Sequence, residues 1–232
     1  MNLWKIAAGV LAAVVVFVAG REVARAASSS APGAGRLDTS GGKPPSKWTA
    51  ADYRELHALS ARLGVSSPDV LAVLRNESGL DPQAEFPGGL ARGLNQLTDA
   101  GRSAIGMSES EFDSYPGWSV AQQLPVVERS LRAAFQGARP QTAGAIYAFN
   151  FLPARARARG TAPATVLGTV EEFPKNEPLA DSAGNYTPAA LSARLRRFGD
   201  RRKDGSPVDP LYLGALQALR DAVGDQSLSP TW

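Results

Sequence analysis

One carboxylate stands out for the chemistry its surroundings allow. Glu77 lies in the run Leu74-Arg75-Asn76-Glu77-Ser78-Gly79-Leu80-Asp81-Pro82-Gln83-Ala84, at the end of an apolar stretch with helical spacing. A glycine-bearing loop then returns to a second polar motif, Gly93-Leu94-Asn95-Gln96. A lone carboxyl group beside apolar side chains has its charged form disfavoured, which raises its pKa and makes it a general acid near neutral pH. Composition closes most other routes. The 232 residues include no cysteine and one histidine, His57. Disulfides, thiolate metal sites, multi-histidine metal sites and most Ser-His-Asp arrangements are thereby excluded. His57 reads as a surface or boundary residue. Hydrolytic chemistry here must run on carboxylates, hydroxyls and amides, with no cofactor and no metal expected.

The elements that must position Glu77 read as helices. Tyr53, Leu56, Leu59 and Leu63 recur at helical spacing over residues 51–63, and Gly64 stops them. Ser67 reads as an N-cap, with Pro68 and Asp69 in the first turn of a helix through Val70, Leu71, Val73 and Leu74. Gly79 terminates that helix and leaves Glu77 in its last turn, where the macrodipole disfavours an anion. Ser108-Glu109-Ser110-Glu111 fits a capping box, and Ser119 to Phe135 predicts a long helix. Pro140 to Phe149 predicts another, and Thr187-Pro188 and Asp209-Pro210 each open a C-terminal helix. Residues 181–185 read as a turn, because they lack the regular oxygen ligands and terminal Glu of a cation loop. No strand alternation or internal repeat is visible, so the class is all-α.

The chain divides by composition. Residues 3–20 form the one membrane-grade segment, just long enough to span a bilayer if Lys5 snorkels. An uncleaved single-pass anchor is favoured over a signal peptide cleaved near Ala24-Arg25-Ala26, because Arg21, Glu22 and Arg25 intrude before that site. Residues 1–26 are therefore taken as the anchor or signal. Residues 27–47, rich in Ser, Gly, Pro and Ala, read as a flexible linker, and the folded domain is expected to begin near Trp48. Net charge is only +3. The clusters Arg155/Arg157/Arg159 and Arg194/Arg196/Arg197 through Arg201/Arg202/Lys203 read as solvated faces that could favour anionic wall polymers or phospholipid. They lack aromatics interleaved at a repeated spacing, and no nucleic-acid partner is expected.

Three motifs in order carry a family resemblance. Glu77-Ser78-Gly79-Leu80-Asp81-Pro82-x-Ala84, Gly93-Leu94-Asn95-Gln96-Leu97 and Ala145-Ile146-Tyr147-Ala148-Phe149-Asn150-Phe151-Leu152-Pro153 resemble those of soluble-lytic-transglycosylase-like domains, in the superfamily of goose-type lysozyme. The likeness covers about residues 50–165. It implies a lysozyme-like catalytic domain over 48–165, followed by a C-terminal helical extension over 166–232. The Asn-Phe-Leu-Pro form of the third motif, with Asn176-x-x-Leu179-x-Asp181-x-x-Gly184, is similar to domains carried by phage virions.

The resemblance implies cleavage of the β-1,4 bond between N-acetylmuramic acid and N-acetylglucosamine, leaving a 1,6-anhydro sugar. Glu77 would protonate the glycosidic oxygen, then take the proton from the muramyl C6 hydroxyl. That intramolecular hydroxyl removes the need for a second carboxylate. The other acids in the motifs are Asp81, which reads as shaping a turn, and Glu85, in the loop. Ser78 is expected near the substrate N-acetyl group, and Asn95, Gln96, Tyr147 and Asn150 are expected to contact the sugar. Phe149 stands where the family tyrosine usually does. Tyr147 is two residues earlier, about 160° away from Phe149 around a helix, so Glu77 has no assigned phenol partner. The implied partners are peptidoglycan strands, the membrane through residues 3–20, and virion or envelope components. The implied setting is a virion membrane or bacterial envelope, with the catalytic domain facing the periplasm or cell wall. A hydrolytic muramidase and a non-catalytic glycan-binding structural protein are the alternatives.

Overall fold

A computed structural model describes residues 37–86 and 88–232. The expected anchor over 3–20 and the first part of the expected linker lie outside the described residues. Local chemistry sets the helix ends. α1 (Ala50–Leu63) opens on a capping box in which the Thr49 hydroxyl accepts from Asp52 N–H while the Asp52 carboxylate accepts from Thr49 N–H, and it closes on left-handed Gly64. α2 (Ser67–Ser78) closes on left-handed Gly79, with φ of 68°. Its N-cap is Ser66 rather than Ser67, whose hydroxyl instead lies 3.0 Å from His57 Nδ1.

α3 (Asp99–Ala104) and α4 (Glu109–Ser114) follow, the latter on the expected Ser108/Glu111 capping box. α5 (Val120–Phe135) is likewise boxed by Ser119 and Gln122. α6 (Ala143–Phe151) begins three residues later than Pro140 and runs two beyond Phe149, because Thr142 Oγ1 caps it by accepting from Ala145 N–H. α7 (Pro153–Arg159) continues at once, and α8 (Pro188–Arg196) and α9 (Pro210–Val223) start on Thr187 and Asp209 caps. Two antiparallel ladders, β1 (Ala91–Arg92) with β2 (Leu97–Thr98) and β3 (Gly168–Thr169) with β4 (Asn185–Tyr186), and 3-10 turns at Tyr115–Gly117, Pro174–Leu179 and Arg197–Gly199 complete the described elements. Strands of two residues are too short for alternation to show in a sequence. The turn at 181–185 forms on Asp181, whose Oδ1 accepts from Ala183 and Asn185 N–H at 2.9 Å each.

α2 runs through the core. Every residue from Ser67 to Leu74 is buried, so this helix is covered on all sides. Leu71 and Leu74 share one apolar cluster with Leu56 and Leu59 of α1, Leu124 of α5, Ile146 of α6, Leu191 and Leu195 of α8, and Leu213 and Leu216 of α9. A smaller cluster around Phe112 and Tyr115 supports the β1–β2 hairpin. Among the described residues, no helix is long and apolar enough to cross a membrane.

Three compositional readings change. Residues 37–47 are docked rather than free: Lys43 N–H donates to Pro210 O at 2.8 Å, and Arg220 Nη1 donates to Leu37 O at 3.1 Å. Gly42 and Gly214 make this possible, since a Cβ on Gly42 would sit 2.4 Å from Gly214 N and one on Gly214 would sit 2.2 Å from Lys43 C. The segment after residue 165 is no appendage, because α8 and α9 supply side chains to the same cluster as α1 and α2. The arginine clusters are solvated faces only in part: Arg157, Arg159, Arg197 and Arg202 are exposed, whereas Arg155 pairs with Glu172 at 2.7 Å and Arg201 with Asp38 at 2.8 Å.

Candidate active site

Glu77 emerges where α2 leaves the core. The residue keeps some accessible surface, but both carboxylate oxygens are shielded from solvent and neither has a well-aligned hydrogen bond. Burial pushes its pKa up to about 8, opposed only by the side-chain amide of Asn150. At neutral pH the carboxyl is therefore mostly protonated. The cation two residues earlier does not reverse this. Arg75 forks onto Asp209, at 2.7 Å from Nη2 to Oδ2 and 3.2 Å from Nε to Oδ1, and Asp209 Oδ1 also accepts from Tyr212 N–H to cap α9. That pair fastens the last turns of α2 to the start of α9.

α6 supplies the facing groups. Tyr147 and Asn150 are three residues apart on this helix and so share a face. Tyr147 is fully buried, its ring stacked 6.1 Å from that of Phe151. Its hydroxyl has no well-aligned partner, and its pKa is driven well above 10, first by burial and then by the negative charge Glu77 can carry. Asn76 and Arg194 act on the same hydroxyl in the opposite sense. The phenol thus stays a proton donor beside the carboxyl group. Phe149 turns to the other side, edge-on to Phe135 at 5.3 Å. Tyr147, not Phe149, thus shares the face of α6 that carries Asn150.

The other expected site residues have more local duties. Ser78 Oγ donates to Leu74 O at 3.1 Å, inside its own helix. Asn95 is buried, and its Oδ1 accepts from the Tyr115 hydroxyl at 2.9 Å. Gln96 adopts φ of 46° and its Nε2 donates to Ala84 O and Gly93 O, which closes the loop base. Gly93 is obligatory here: a Cβ would lie 2.3 Å from the Tyr115 ring. Gln123 on α5 joins these pieces. Its Oε1 accepts from Leu94 N–H, while its Nε2 donates to the Pro82 and Tyr115 carbonyls. Asp81 Oδ1 accepts from Gln83 N–H and from Lys47 Nζ, as a turn residue would, and Glu85 is exposed.

Two residues not singled out in the sequence belong to this site. Asn76 and Arg194 each bury a nitrogen without a hydrogen-bond partner, Nδ2 and Nε respectively, and both act on Tyr147. Asn76 could have been found from its place next to Glu77; Arg194 could not, because only the packing of α8 on α6 brings it there. Buried polar atoms are ordinarily satisfied, and a knot of them that is not points to a functional site. Two surface depressions, of about 550 Å³ beside Trp48 and Tyr53 and about 390 Å³ beside Pro163 and Thr187, do not include Glu77. Comparison with protein-family models, with curated proteins and with solved structures gave no match.

Proposed function

We propose that the chain is a peptidoglycan lytic transglycosylase with a lysozyme-like fold. It would cut the β-1,4 bond between N-acetylmuramic acid and N-acetylglucosamine and leave a 1,6-anhydro end. The observation that carries this reading is Glu77: a carboxyl group held protonated near neutral pH by burial, facing a phenol and an amide, with no second carboxylate acting on it.

A pKa of about 8 suits a group that must give and then recover a proton at neutral pH. In the first step Glu77 donates its proton to the glycosidic oxygen as the C1–O bond breaks, and the N-acetylglucosamine leaves as an alcohol. In the second, the Glu77 carboxylate removes the proton of the muramyl C6 hydroxyl as its oxygen bonds to C1. The carboxyl ends as it began, protonated, and no water is consumed. Tyr147 supplies a hydrogen bond to the carboxylate between the two steps, which lowers the cost of a buried charge. Asn150 is placed to orient the same group. The proposed setting is a virion or envelope membrane, where a phage could use local wall opening to deliver its genome.

Digestion of purified sacculi tests the reading. Mass spectrometry of the released muropeptides is expected to show 1,6-anhydromuramyl ends, and Glu77→Gln to release none above background. Hydrated reducing ends alone would make the enzyme a muramidase. Equally poor clearance of sacculi by the two proteins would leave only glycan binding.

A further inference from the structure

Several arginines of the described residues pair with carboxylates; Arg194 does not, and its charge acts on the Tyr147 hydroxyl of the site. Arg62, Arg75, Arg92, Arg102, Arg155 and Arg201 each pair with a carboxylate. Arg194, in the last turn of α8, is half-buried, its Nε is shielded without a hydrogen bond, and it forms no ion pair among the described residues. Its electrostatic neighbours make the position worse for a cation. Arg197 and Arg75 repel it, and the Tyr147 hydroxyl, on which Glu77 also acts, is the one neighbour that works in its favour. A guanidinium withdrawn from water without a counter-charge is costly.

Packing fixes it there. α8 crosses α6 at Gly144, where a Cβ would lie 2.1 Å from Pro188 O and 2.3 Å from Ser192 Oγ, and Gly144 N–H donates to Ser192 Oγ at 3.2 Å. Arg194 is two residues beyond Ser192 on the same short helix, so it has little freedom to withdraw. A planar guanidinium fork suits carboxylate and phosphate, and of these a peptidoglycan strand offers carboxylates.

We infer that Arg194 is a substrate-binding residue of the Glu77 site, taking a carboxylate carried on the lactyl arm of the muramyl sugar. The inference rests on the peptidoglycan reading and narrows it to acid-bearing strands. The carboxylate has two sources: the lactyl acid itself where the peptide is missing, or the acids of an attached stem peptide.

Binding to the full chain carrying Glu77→Gln separates these possibilities without turnover. Three probes are titrated: a neutral N-acetylglucosamine oligosaccharide, a peptide-free oligosaccharide alternating with N-acetylmuramic acid, and the same strand bearing peptides. Adding Arg194→Met, which keeps most of the aliphatic packing, is expected to weaken the acid-bearing strands about tenfold or more and to leave the neutral one unchanged. Arg194→Lys should restore part of the loss. Weakening of both acidic probes assigns the lactyl acid, and weakening of the peptide-bearing strand alone assigns the peptide. Equal weakening of all three probes, or of none, overturns the inference; thermal unfolding of each variant separates the first result from loss of fold. Selective weakening in a protein that releases no anhydro products would keep Arg194 and overturn the catalytic reading. A folded chain that binds none of the probes overturns both.

Discussion

Replacing Glu77 by glutamine is expected to make the protein more stable, and increasingly so as pH rises. The folded-state pKa of Glu77 is about 8, against an ordinary value near 4.5. Below pH 4.5 the carboxyl is protonated in both states and costs the fold nothing. Between 4.5 and 8 the unfolded chain releases the proton while the folded chain retains it. The folded state thus binds more protons, and stability falls with rising pH across that window. Above 8 the loss is complete.

At about 1.4 kcal/mol for each pH unit, the loss has an upper bound of roughly 5 kcal/mol, and roughly 3 kcal/mol is already gone by pH 7. Entry of water beside the carboxylate would lower both figures, to about half. Asp69, with a pKa raised to about 7 by burial, loses stability in the same direction, but it is present in both proteins and cancels in their difference. Urea unfolding of wild type and Glu77→Gln at pH 5, 7 and 9, followed by tryptophan fluorescence, measures that difference. The gap in favour of glutamine is expected to widen by about 2 to 4 kcal/mol from pH 5 to 9. Parallel stability curves would show an ordinary, solvated glutamate, and the general-acid argument would then have lost its physical basis.

Tyr147→Phe removes a buried hydroxyl without a good partner, so it is expected to change stability by less than about 1 kcal/mol in denaturant titration while lowering the rate of wall cleavage about tenfold to a hundredfold. Phe149→Tyr places a hydroxyl against Phe135 in the core; it is expected to cost about 1–3 kcal/mol and not to rescue Tyr147→Phe in the same cleavage assay. Gly144→Ala forces α6 and α8 apart, and a drop of at least about 2 kcal/mol in unfolding free energy is expected. Arg75→Met leaves the buried Asp209 carboxylate unpaired and should cost about 3 kcal/mol or more, with the effect persisting in high salt because the pair is not exposed.

Helix ends were legible because their chemistry is local. The Ser108 and Ser119 caps, the Gly64 and Gly79 stops and the Pro-bearing starts of α8 and α9 each depend on four or five consecutive residues. What escaped the sequence depends on distant chain. Residues 37–47 look like a linker by composition, yet the same small residues that suggest flexibility allow the backbone approach between Gly42 and Gly214. Asn95 sits in a polar motif, but Tyr115, twenty residues on, takes its side chain inward. Arg194 belongs to a charge cluster in the sequence, and only α8 packing on α6 separates it from that cluster's exposed members.

The pairing of Tyr147 with Asn150 turns on a point of helix geometry that bears on catalysis. Tyr147 and Asn150 are three residues apart and share a face of α6, and both bear on the Glu77 carboxyl. The residue directly before the asparagine points elsewhere in this α6. Phe149 instead joins Phe135 and stiffens the core behind the site. Tyr147 is carried on the stack with Phe151, which meets Tyr186 and Phe173 in turn. Aromatic packing therefore holds the Tyr147 hydroxyl in place, and its pKa answers to the charge that Glu77 can carry.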